Sequence, residues 1–121
     1  PAAGGAGFPN PVPEVPVATT PGFSDSAAVD CGGRPGAAAV VRVLRARGLI
    51  GGGARATVET GPLCAGEWQY TVVLVPGREP LAVVTRGQPG ALRLVTAGTN
   101  VCSAAVRTTA PYGIRTAADC G

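Results

Sequence analysis

The sequence predicts an α+β domain: one helix packed on a four-stranded antiparallel meander, two disulfides, and an extended proline-rich N-terminal arm. Three observations carry that expectation. Cys31, Cys64, Cys102 and Cys120 form an even set with no C-x-x-C pair, and the 121-residue chain has no histidine. One stretch of helical periodicity is followed by four short alternating runs bounded by glycine and proline. Finally, six of the 12 prolines lie in residues 1–22, where Glu14 is the sole charge. Composition therefore divides the chain into an arm, residues 1–29, and a disulfide-braced domain, residues 30–121, with residues 23–28 as the joint.

The arm reads Phe8-Pro9-Asn10-Pro11-Val12-Pro13-Glu14-Val15-Pro16-Val17. Recurrent proline fixes φ and removes amide donors, which favours an extended polyproline course. Such a segment serves as a spacer, or as a strap laid along a partner with Phe8, Val12, Val15 and Val17 as its contacts. Pre-extension lowers the ordering cost of a strap.

The helix is expected over 35–47. Ala37, Val40, Val41 and Leu44 fall at i, i+3, i+4 and i+7, and Pro35 and Gly48 suit its two ends. Arg42, Arg45 and Arg47 complement the dipole at its C-terminus and read as a solvated face. After Gly51-Gly52-Gly53, strands are expected over 54–60, 67–75, 81–86 and 91–97. Gly61-Pro62, Pro76-Gly77 and Gly87-Gln88-Pro89-Gly90 are the expected turns. Short connections make the strands an antiparallel meander. A helical turn near 111–118, with Ile114 and Ala117 inward, completes the tail. Trp68 and Tyr70 share a strand face, as core rather than as a stacking platform, because aromatics are only 4% of the chain.

A lean aliphatic core gives the cysteines their structural purpose. A bridge closing a loop of some tens of residues contributes about 3–4 kcal/mol in the chain-entropy account. The preferred pairing is Cys31–Cys64 with Cys102–Cys120; the rival is Cys31–Cys120 with Cys64–Cys102. Paired cysteines place the protein in an oxidising compartment, secreted or periplasmic/cell-envelope, and the Pro1-Ala2-Ala3 start suits a mature chain after signal-peptide removal. No stretch reaches the roughly 20 apolar residues of a membrane span.

Chemistry is harder to find. With no histidine and no lysine, nucleophilic serine or cysteine catalysis lacks a base. Glu59 and Glu67 are the one carboxylate pair worth weighing for glycoside hydrolysis, and both read as outward-facing polar positions. The seven acids are too scattered for a calcium loop, and no cofactor or metal is expected. A net charge of +3, spread over dispersed arginines, argues against nucleic acid as partner.

The order Cys31, helix, strand, Cys64-Ala65-Gly66-Glu67-Trp68, hairpin, Gly98-Thr99-Asn100-Val101-Cys102 resembles small exported cysteine-containing domains of actinobacteria, over about residues 31–120. The abundance of alanine, glycine, proline, valine and arginine also fits a high-GC genome. The resemblance implies compartment and architecture, not chemistry; most such domains are uncharacterised. The expected function is a non-enzymatic secreted or cell-envelope accessory protein that binds another envelope protein. The alternatives are a small proteinase inhibitor presenting residues 99–107, and a self-associating subunit of a surface layer or filament.

Overall fold

The structure is a computed structural model and describes residues 22–121. The arm and its contact candidates Phe8, Val12, Val15 and Val17 lie outside the described residues. In chain order the elements are β1 (Val29–Asp30), α1 (Ala37–Ala46), β2 (Thr57–Ala65), β3 (Trp68–Leu74), β4 (Leu81–Arg86), β5 (Arg93–Gly98), α2 (Ala104–Thr109) and α3 (Tyr112–Ala117). The strands form one antiparallel sheet in the order β1-β2-β3-β4-β5. The four-stranded meander of the sequence reading is thus five-stranded, because β1 pairs Val29 with Cys64 and Asp30 with Leu63. A two-residue strand carries no periodicity of its own. The adjoining Cys31–Cys64 bridge holds it against β2.

A second correction concerns Gly61-Pro62. The chain does not turn there. β2 runs through it with a register irregularity, and Gly61 takes φ 86°. A Cβ at Gly61 would lie 2.6 Å from the Tyr70 carbonyl oxygen, so glycine is required on steric grounds as well as conformational ones. The reversal comes later, at Gly66-Glu67, between the paired residues Ala65 and Trp68. Gly66 supplies the positive φ that a two-residue hairpin loop asks of its first central position.

α1 ends as its sequence demands. Gly48 N–H donates to Arg45 O and Leu49 N–H to Leu44 O, with Gly48 at φ 75°, which is the Schellman arrangement. Leu49 packs back on the core. Arg45 ties down the following glycine loop by donating to the carbonyls of Gly51 and Ala54 at 2.7 and 2.8 Å. α3 ends the same way, with Cys120 N–H on Arg115 O and Asp119, at φ 61°, in the glycine position.

The layer count also differs from the two expected. Val40 and Leu44 of α1 pack with Val73, Leu81 and Val83 on one sheet face. Val106, Ala110 and Ile114 of the α2–α3 segment pack with Trp68 and Val84 on the other. Neither face is left open, and the second bridge, Cys102–Cys120, closes the segment that covers the Trp68 face. Ile114 is buried as expected and Ala117 is half-buried. α2 was not expected from the sequence.

Residues 23–28 are laid on this body. Gly66 N–H donates to the carbonyls of Phe23 and Ser24, and Gly113 N–H donates to Asp25 O at 2.8 Å. Gly113 is buried against this segment, and a Cβ there would lie 2.6 Å from the Ala27 carbonyl carbon, so the close approach requires glycine.

Among the described residues two buried side-chain polar atoms have no hydrogen-bond partner, Thr71 Oγ1 and Arg115 Nε. Thr71 is fully buried opposite Val83, and its Oγ1 has no hydrogen-bond partner among the described residues. Replacing the hydroxyl by a methyl keeps the shape and removes the desolvation cost, which is about 1–3 kcal/mol. Thr71→Val is expected to raise the free energy of unfolding by about 1 kcal/mol, measured by denaturant titration; a fall of that size would mean the hydroxyl is satisfied in solution.

Candidate functional site

Clasped hairpin tips set the geometry at one end of the sheet. Thr85 Oγ1 donates to Gln69 Oε1 at 2.7 Å, both side chains being buried. Gln69 Nε2 then donates to the carbonyls of Glu67 and Gly87 at 3.2 and 3.3 Å, and Gln88 Nε2 donates to Glu67 Oε2 at 2.7 Å. These bonds fix where β4 leaves the sheet and β5 enters it.

Across that β4–β5 turn, Arg86 and Arg93 are directly paired. Like charges facing each other on neighbouring strands oppose pairing. Arg86 finds partial relief by lying over the Trp68 ring, 4.7 Å from its centroid. Arg47, at the C-cap of α1, joins them around a groove of about 460 Å³. Val43, Leu92 and Leu94 supply its apolar floor, and no carboxylate lines it. Arg45, Arg78 and Arg107 are engaged with backbone carbonyls; Arg47, Arg86 and Arg93 have no such bond among the described residues. The groove runs beside β5, which is the sheet's outer strand.

Three arginines thus contribute to one groove lining, Arg47 from the α1 side and Arg86 and Arg93 from the paired ends of β4 and β5, with Arg86 turned onto Trp68 on the opposite face. Of the helix trio, Arg42 is exposed and Arg45 is a loop tie, so Arg47 alone takes part. The signal that was available is the hairpin: Arg86 and Arg93 straddle Gly87–Gly90 at positions that face each other once the turn closes. A second cavity, about 410 Å³, is lined by Gly22, Phe23, Arg34, Cys64, Glu67 and Gln69.

The remaining sequence candidates are not brought together. Glu59 is exposed on β2 and Glu67 sits in the hairpin loop, separated by most of β2, roughly 20 Å at the usual strand rise. The cysteines are paired as Cys31–Cys64 and Cys102–Cys120, which is the preferred pairing, and no cysteine is free. Such pairing matches the chemistry of an oxidising compartment. No helix among the described residues is long and apolar enough to cross a membrane. Residues 99–107, considered as an inhibitory loop, run into α2, and Arg107 Nε turns back to donate to Cys102 O at 2.9 Å. Trp68 is 6% exposed and belongs to the core, with Arg86 over its ring. No family model, curated protein or solved structure matches the chain.

On the opposite side of the sheet from α1, burial raises the pKa of the Tyr70 phenol above its usual value, and the negative charge of Asp119 adds to the effect. The folded state therefore holds the phenolic proton more tightly than the unfolded chain. The associated stability is complete below the unfolded value, about pH 10, and is lost as pH climbs through the raised folded value. Tyr70→Phe is expected to flatten this alkaline loss in unfolding titrations taken on either side of about pH 10, and an unchanged alkaline limb would contradict it.

Proposed function

We propose that this chain is a non-enzymatic secreted or cell-envelope accessory module that binds another envelope protein, with the N-terminal arm as spacer or strap. The observation that carries the reading is the arginine-lined groove beside the outer strand β5. Both sheet faces are used for the module's own core, so the β5 edge and its groove are where a partner gains both backbone hydrogen bonds and charge pairing. The likeness to small exported actinobacterial domains belongs with the same reading. An open edge also favours a second reading, self-association into a layer or filament, in which the neighbour supplies the missing strand.

Site-specific photocrosslinking separates the two. With a photoreactive group at Thr96 of β5, irradiation in the envelope fraction of the producing cells is expected to give one adduct with a different protein. The same group at Glu59 should give none. An adduct only between copies of the chain would favour the layer or filament. Equal, diffuse labelling from both positions would overturn the proposal.

A further inference from the structure

The arginine groove also defines what kind of segment it receives, an inference that rests on the binding reading above. Arg86 and Arg93 are held side by side without a carboxylate among the groove residues, so an incoming anion relieves a repulsion that the fold itself maintains. Guanidinium forks favour carboxylates and phosphates alike. The choice between them comes from the surroundings. Val43, Leu92 and Leu94 offer aliphatic surface, and β5 offers the backbone groups of an outer strand; a free phosphate uses neither, whereas a polypeptide uses both.

Direction follows from position. Every strand pairing in the sheet is antiparallel. Arg93 is the first residue of β5 and Arg86, its paired neighbour, the last of β4, so their positive charge sits at the start of β5. A strand added antiparallel to β5 runs its C-terminal end past that charge. We infer that the groove and β5 together bind an extended segment of a partner protein, which adds as a strand antiparallel to β5. Its side chains alternate between the two sheet faces: aliphatic ones meet Val43 and Leu94 on the α1 side, and acidic ones at its C-terminal end meet Arg93 and Arg86 on the Trp68 side.

Arg86 lies over the chain's one tryptophan, so capture of a carboxylate at Arg86 is reported by Trp68 emission. The full chain is titrated with three probes. The first is a peptide of about six residues, the length of a typical strand, alternating valine and threonine and ending in two glutamates. The second is the reversed peptide with the glutamates first, and the third is inorganic phosphate. The forward peptide is expected to saturate the Trp68 signal and slow amide exchange in Arg93–Gly98. Arg93→Gln and Arg86→Gln should each weaken it about tenfold, the worth of one charged hydrogen bond. Arg55→Gln, exposed two residues before β2, should leave affinity unchanged, and circular dichroism establishes that each variant is folded. For Arg86→Gln, which alters the reporter itself, affinity is read from amide exchange. Equal binding of the reversed peptide would overturn the direction. A phosphate response matching the peptide's, without protection of β5, would overturn strand addition and leave an anion site alone. Absence of any peptide binding while the Thr96 crosslink persists would sink the acidic-strand inference but not the binding module; loss of both would sink both.

Discussion

Cys31 and Cys64 enclose α1 between them, and Cys102 and Cys120 enclose α2 and α3. Each bridge therefore closes the loop that covers one face of the sheet. The first is almost wholly buried, at 3% and 1% exposure, and stands where β1 meets β2. The second joins the loop after β5 to the residue that ends α3. The layers themselves are thin. Beneath α1 the large buried groups are leucine, isoleucine and valine, and on the other face only Trp68, Ile114 of α3 and the half-buried Tyr70 exceed valine in size. Two six-residue helices have little intrinsic tendency to persist, since isolated helices below about 12 residues are marginal in water. Restricting the unfolded chain by cross-links is what lets so lean a core hold three layers.

The covered faces determine where interaction is left to the sheet edges. β1 shields part of β2 at one edge, while β5 stands at the other. There the clasp of Gln69, Thr85, Glu67 and Gln88 fixes the turn that brings Arg86 against Arg93. The charge of the groove is thus tied to the same hydrogen bonds that order the hairpin tips.

Much of the scaffold was legible from local pattern. The apolar spacing of Val40 and Leu44, the stop at Gly48, the Leu81–Arg86 strand and the preferred cysteine pairing all appear in the structure. What was missed has a physical cause in each case. Gly61-Pro62 reads as a turn, yet the irregularity it creates is absorbed inside a long strand that continues to Ala65. β1 and α2 are too short to show a period, and their places are set by bridges and by packing on Trp68. The groove was illegible for another reason: its lining comes from α1, β4 and β5, and only the antiparallel register of β4 and β5 pairs Arg86 with Arg93.

The most direct measurement compares unfolding of the oxidised protein with that of the Cys31→Ala/Cys64→Ala and Cys102→Ala/Cys120→Ala pairs, and with the fully reduced and alkylated chain. Each pair should lose about 3–4 kcal/mol of stability, and the fully reduced chain should have no cooperative transition. A reduced, alkylated chain that still unfolds cooperatively at the oxidised midpoint would contradict the account.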